Sequence, residues 1–141
     1  MDRFDLTRES TLPFPALLEA VQAETAAAGF RVLHVHDVQA TLAEKGLHRE
    51  PLAIVEVCNA RFAHAVLAAD PLVGLMLPCP IQVWERDGRR FVSALKPTSI
   101  ATFYPDAGIG AVAAEVEAAI TRIVGRAAAA RMDGGDPPAE A

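Results

Sequence analysis

The dipeptide Asp87-Gly88 constrains what this chain can fold into more than any other feature of its sequence. It separates two runs, Ile81 to Arg86 and Arg89 to Leu95, that are rich in β-branched and aromatic residues. A two-residue loop of this composition selects a type I′ turn, because both turn positions need positive φ and Asp-Gly tolerates it. The turn fixes the register. Trp84 then faces Phe91 across the strands, while Ile81, Val83, Val92 and Ala94 share the other surface, with Glu85 opposite Arg90 toward the tip. Both surfaces are apolar over the same stretch. One is expected under helices of the chain itself, led by the stripe Ile109, Val112, Val116, Ala119, Ile123 and Ala127. The other carries Trp84 and Phe91 and predicts the interface of a homodimer, since an exposed aromatic patch marks a contact surface. The competing expectation is a short helix near Thr98 to Tyr104 that folds back over the two rings.

The rest of the chain supplies the partners of that hairpin. Arg3 to Thr7 is expected to open the fold as a strand, and Thr11-Leu12-Pro13-Phe14 to start a helix. Leu17, Leu18, Val21, Thr25 and Ala28 recur at helical spacing, and Gly29 stands where a C-terminal cap belongs. Phe30 to His36 reads as a strand, and Asp37 caps a short helix through Lys45 that Gly46 closes. Leu52 to Cys58 is a strand, followed by a helix from Ala60 to Ala69 capped by Asn59 and ended by Asp70-Pro71. A loop or short helix runs from Lys96-Pro97 to Tyr104-Pro105 ahead of the last helix. The order β-α-β-α-β-α-β-β-α predicts an α+β class: one domain over residues 1–131, a largely antiparallel sheet with helices on one face. Residues 132–141 are polar and turn-rich, and a flexible tail is expected there.

Composition narrows the function. With 52% hydrophobic and 22% charged residues among 141, the chain can bury a core without disulfide or metal support. Its 13 basic residues are scattered among 18 acidic ones for a net charge of -5, which argues against a general nucleic-acid binder. The longest apolar run, Ala65 to Ile81, is broken by Asp70, Pro71, Gly74, Pro78 and Pro80, so no membrane helix is expected. Met1 to Leu6 has acids where a signal peptide needs positive charge, and the two cysteines are too few for a disulfide scaffold. A cytoplasmic location is the expectation.

The residues able to carry chemistry are few. Cys58 sits at a strand end just before a helix start, where unsatisfied N–H groups and the helix dipole stabilise a thiolate; a free cysteine that simply packs is the commoner occupant. Asn59 suits a helix cap better than an oxyanion donor. Cys79 lies between Pro78 and Pro80, which hold its backbone extended, in a site or in a plain turn. His34 and His36 share one strand face by the period of two, and with Cys58 or Cys79 they would compose a zinc or copper set, although no specific metal-motif spacing is present. No metal and no cofactor is assigned. Glu56 is either a buried acid or an outward residue on a half-exposed strand. His48 and His64 read as solvated.

Four stretches together resemble the bacterial and archaeal family known as domain of unknown function 302. They are Ala28-Gly29-Phe30-Arg31-Val32, Asp37-Val38-Gln39-Ala40-Thr41-Leu42, Val57-Cys58-Asn59-Ala60, and Ala68-Ala69-Asp70-Pro71-Leu72-Val73-Gly74-Leu75-Met76-Leu77-Pro78-Cys79. The resemblance implies a compact α+β domain that often forms homodimers, with no established activity to carry over. Two positions depart from the usual pattern. Ala60 stands where proline commonly follows Cys-Asn, and Pro80 replaces a basic or polar residue after Pro-Cys, leaving Cys79 without an adjacent cation. Two functions follow from the residues: a non-catalytic homodimeric module that binds a small ligand or partner between helix and sheet, or a thiol-dependent redox or transfer protein using Cys58 with Cys79 or a histidine.

Overall fold

In the computed structural model, which describes residues 3–132, Asp87 and Gly88 adopt φ of 53° and 76° and close the expected two-residue hairpin. The strands of the described residues are β1 (Asp5–Ser10), β2 (Arg31–Asp37), β3 (Leu52–Cys58), β4 (Cys79–Arg86) and β5 (Arg89–Leu95). The helices are α1 (Phe14–Ala27), α2 (Val38–Ala43), α3 (Ala60–Ala69), α4 (Pro97–Phe103) and α5 (Gly110–Ala129), with a 3₁₀ helix at Pro71–Met76. The strands form one sheet in the order β1-β5-β4-β3-β2, antiparallel at every pairing. This is the α+β class read from the sequence.

Local chemistry explains the boundaries. Pro13 and Pro15 flank the start of α1, where a missing N–H costs nothing, and Gly29 at φ 81° reverses the chain after it. The Asp37 carboxylate accepts the Ala40 N–H at 2.9 Å to start α2, and Asp70 accepts the Leu72 N–H at 3.0 Å to start the 3₁₀ helix. That 3₁₀ helix was not expected from the sequence. The first strand also differs, running Asp5–Ser10 where Arg3 to Thr7 was expected, because its limits follow its pairing with β5.

One sheet face packs under helices. Leu6, Val55, Val57, Ile81, Val83 and Val92 join Leu17 and Val21 of α1 and Val116, Ile120, Ile123 and Val124 of α5 in the main core. Burying each such side chain contributes about 1.5–3 kcal/mol. An Arg126–Glu24 ion pair at 2.9 Å ties α5 to α1, and the buried Thr25 hydroxyl donates to the Val21 carbonyl at 2.6 Å. In β2 a bulge between Val32 and His34 lets Val32 and Val35 both pack on the core although three positions apart, and leaves Leu33 48% exposed. A smaller cluster of Val66, Val73, Ile100 and Ile109 lies beside the main core, roofed by α3, the 3₁₀ helix and α4.

Among the described residues, no helix is long and apolar enough to cross a membrane. Of the expected C-terminal tail only Met132 is described, and it is exposed; residues 133–141 lie outside the described residues.

Candidate functional site

Cys58, Asn59 and Cys79 are brought together. Cys79 opens β4 directly opposite Val57 in β3, so the Cα atoms of Cys58 and Cys79 lie within about 9 Å. Both thiols are free. Burial, aided by the nearby charge of Cys58, pushes the Cys79 thiol from its ordinary 9.0 up to about 11. At neutral pH only about one Cys79 in ten thousand is then thiolate, the opposite of an activated nucleophile. Asn59 is engaged as the cap of α3. Its Oδ1 accepts the Arg61 and Phe62 N–H groups at 3.0 and 3.3 Å, and its Nδ2 donates to the Gly29 carbonyl at 3.3 Å. The start of α3 is thereby tied to the end of α1.

The three residues border a cavity of about 50 Å³ at the seam between the two hydrophobic clusters. Phe30, Val57, Phe62 and Val116 come to it from the main core, and Val66, Val73, Leu77, Ile100 and Ile109 from the smaller cluster side; Ala63, Pro97 and Ala113 complete the wall. Phe30 and Phe62 meet at 6.1 Å between ring centroids. Of the wall residues, Ile109 and Val116 stand in the apolar stripe read from the sequence; their convergence with the others depends on the 3₁₀ helix and α4, signalled in the sequence only by the Asp70-Pro71 and Lys96-Pro97 breaks.

His34 and His36 lie elsewhere. Both are exposed, and their rings meet edge to face at 4.3 Å. They share the sheet face that the helices leave bare, whereas Cys79 belongs to the covered face with Ile81 and Val83. His36 Nε2 sits 2.8 Å from Glu56 Oε1, so Glu56 is the outward residue of a half-exposed strand. Thus the histidines and Cys79 do not form a common set, and no group of three His, Cys, Asp or Glu side chains suited to a metal is found among the described residues. His48 and His64 are exposed, as expected.

The bare face is organised around the aromatic pair. Trp84 and Phe91 are register partners stacked at 4.7 Å, and Arg86 and Arg89 place their guanidinium carbons 5.1 and 5.4 Å from the respective ring centroids. Trp84 Nε1 donates to Ser93 Oγ at 2.9 Å, Ser93 and Thr7 share a hydroxyl contact at 2.7 Å, and Thr7 donates to Asp5 at 2.7 Å. Arg3, then Thr7, hold the Asp5 carboxyl below the usual carboxylate range by hydrogen bonding, and Arg89 does the same for Glu9. Leu52 lies beside Trp84, and Ile54 beside Gln82, extending the apolar centre across β3. The helix over residues 97–103 does not fold back over the rings: the Thr98 N–H and hydroxyl both donate to Glu117 Oε1, at 3.1 and 2.6 Å, and anchor α4 on α5. The hydroxyl relay behind Trp84 was not read from the sequence, because it needs the long-range pairing of Thr7 with Ser93.

Against this geometry stand the likenesses to known proteins. The model of a family described as domain of unknown function DUF302 matches residues 6–127. A crystal structure of an uncharacterized conserved DUF302 protein from Bacillus stearothermophilus superposes with a TM-score of 0.83 at 30% identity, covering 87% of this chain and 97% of that one. No curated protein matches the sequence significantly.

Proposed function

Since the chain belongs to the DUF302 family, we propose that it is a non-catalytic binding module that works as a homodimer, paired through the bare face of its sheet. The observation that carries this reading is the half-buried Trp84–Phe91 pair, with no helix over it and flanked by Leu52, Ile54 and Pro80 on strands whose other side is packed. Several charges around this centre are paired within the chain, Arg3 with Asp5, Arg89 with Glu9 and His36 with Glu56, while Arg86 lies over the Trp84 ring. Internal pairing of these charges limits like-charge repulsion when the face meets a copy of itself. Five strands of six to eight residues offer a footprint of about 24 by 20 Å, which suits a modest, reversible dimer rather than an obligate one. Thiol chemistry has less support, because Cys79 is held protonated and Asn59 is spent on its cap.

Sedimentation velocity at tens of micromolar tests the reading. The expected result is a dimer that Trp84→Glu converts to a folded monomer, while Leu75→Glu, on the helical side, leaves it paired. A monomeric parent chain, or a Trp84→Glu variant that still dimerises, would overturn it.

A further inference from the structure

The seam between the two clusters is independent of the sheet face and has its own chemistry. The elements around the cavity are closely packed: a Cβ on Gly74 would stand 3.3 Å from Leu67 Cδ2, and Tyr104 donates to the Leu72 carbonyl at 3.0 Å across the roof. The open space is therefore local and not a sign of loose packing. Its wall holds no carboxylate, ammonium, guanidinium or imidazole, and the Asn59 amide beside it is already bonded. A charged or strongly hydrated ligand would lose its water there and gain nothing in return. A volume of about 50 Å³ is roughly a third of a cavity that holds benzene, which limits the occupant to about two or three heavy atoms.

We propose that this cavity is a binding site for a compact, uncharged aliphatic ligand, seated between Val66, Val73 and Ile100 on the roof and Val57, Phe62 and Val116 on the core, with the cysteine sulfurs as its soft, polarisable border. Apolar contact alone selects the occupant, so selectivity is by size and charge.

The test uses the full chain with xenon and with the alkanes from ethane to hexane, following the methyl resonances of valine, leucine and isoleucine by NMR. Saturable shifts are expected at the cavity methyls, with affinity rising about fourfold per added methylene up to propane and falling beyond. Acetate and methylammonium are expected to leave those methyls unmoved. Ala113→Leu, which fills the space, weakens xenon binding at least tenfold; Ala63→Val serves the same purpose if the first variant does not fold. The proposal is overturned by an absence of saturable shifts, by equal xenon binding in a folded filled variant, or by affinity for the parent chain that keeps rising through hexane. The last result would assign binding to the exposed Leu72, Leu75 and Phe103 instead.

Discussion

Replacing Asn59 by alanine separates a structural from a chemical role for the residue beside Cys58. The substitution removes an acceptor used by two N–H groups at the start of α3 and a donor to the Gly29 carbonyl. Loss of an N-cap costs about 1 kcal/mol, and an exposed neutral hydrogen bond adds about 0.5 kcal/mol. The sum, about 1.5 kcal/mol, corresponds to a drop in melting temperature of about 6 °C for a domain of this size. Asn59→Asp is the informative partner. It keeps the acceptor, places a negative charge at a helix N-terminus and loses only the donor, so it is expected within about 2 °C of the parent chain. Thermal melts followed by circular dichroism at neutral pH read both. An alanine variant within 1 °C of the parent, or an aspartate variant as unstable as the alanine one, would refute the capping argument.

Two further outcomes follow from the geometry. Because the Cys79 thiol is raised from 9.0 to about 11, the folded chain holds its proton where the unfolded chain has lost it, and stability falls by roughly 1.4 kcal/mol per pH unit between about pH 9 and pH 11; denaturation of the parent and of Cys79→Ala at several alkaline pH values is expected to show this extra slope in the parent alone. Gly88→Ala forces a side chain onto φ 76° in the hairpin turn, with open space around it, so a loss of about 1 kcal/mol from backbone strain alone is expected in urea titration, and Asp87→Asn, which tolerates φ 53°, is expected to be nearly neutral.

What was legible in the sequence was what local chemistry decides. Asp87-Gly88 announces its turn because few residues accept positive φ, and Asp37 and Asn59 announce helix starts because a short acceptor reaches back to the first turn. Composition marked Leu52–Cys58 as a strand, but the direction of Glu56 stayed open in the sequence and is decided by its contact with His36 on β2. Features decided at long range stayed hidden. Arg8, Glu9 and Ser10 have weak strand character of their own and extend because β5 offers them hydrogen bonds. Whether α4 covered the aromatic rings depended on Glu117, about twenty positions later, capturing Thr98. The bulge at Leu33 decided which β2 side chains reach the main core, the 3₁₀ helix placed Val73 at the cavity, and neither has a clear periodic signature.

The strand order has a consequence for how the protein is made. β1 leaves the ribosome ahead of the other four described strands, yet its one partner among them is β5, and Asp5 pairs with Leu95. At about 5–20 residues per second, β1 waits on the order of five to twenty seconds with its edge unpaired. During that interval β2, β3 and β4 can assemble in order as each emerges, and the nascent sheet lacks only its final hairpin arm and the strand that closes over it. The polar run Thr7-Arg8-Glu9-Ser10 suits a strand that must wait, since charge and hydroxyl groups keep it from pairing with a neighbouring chain before its own partner exists.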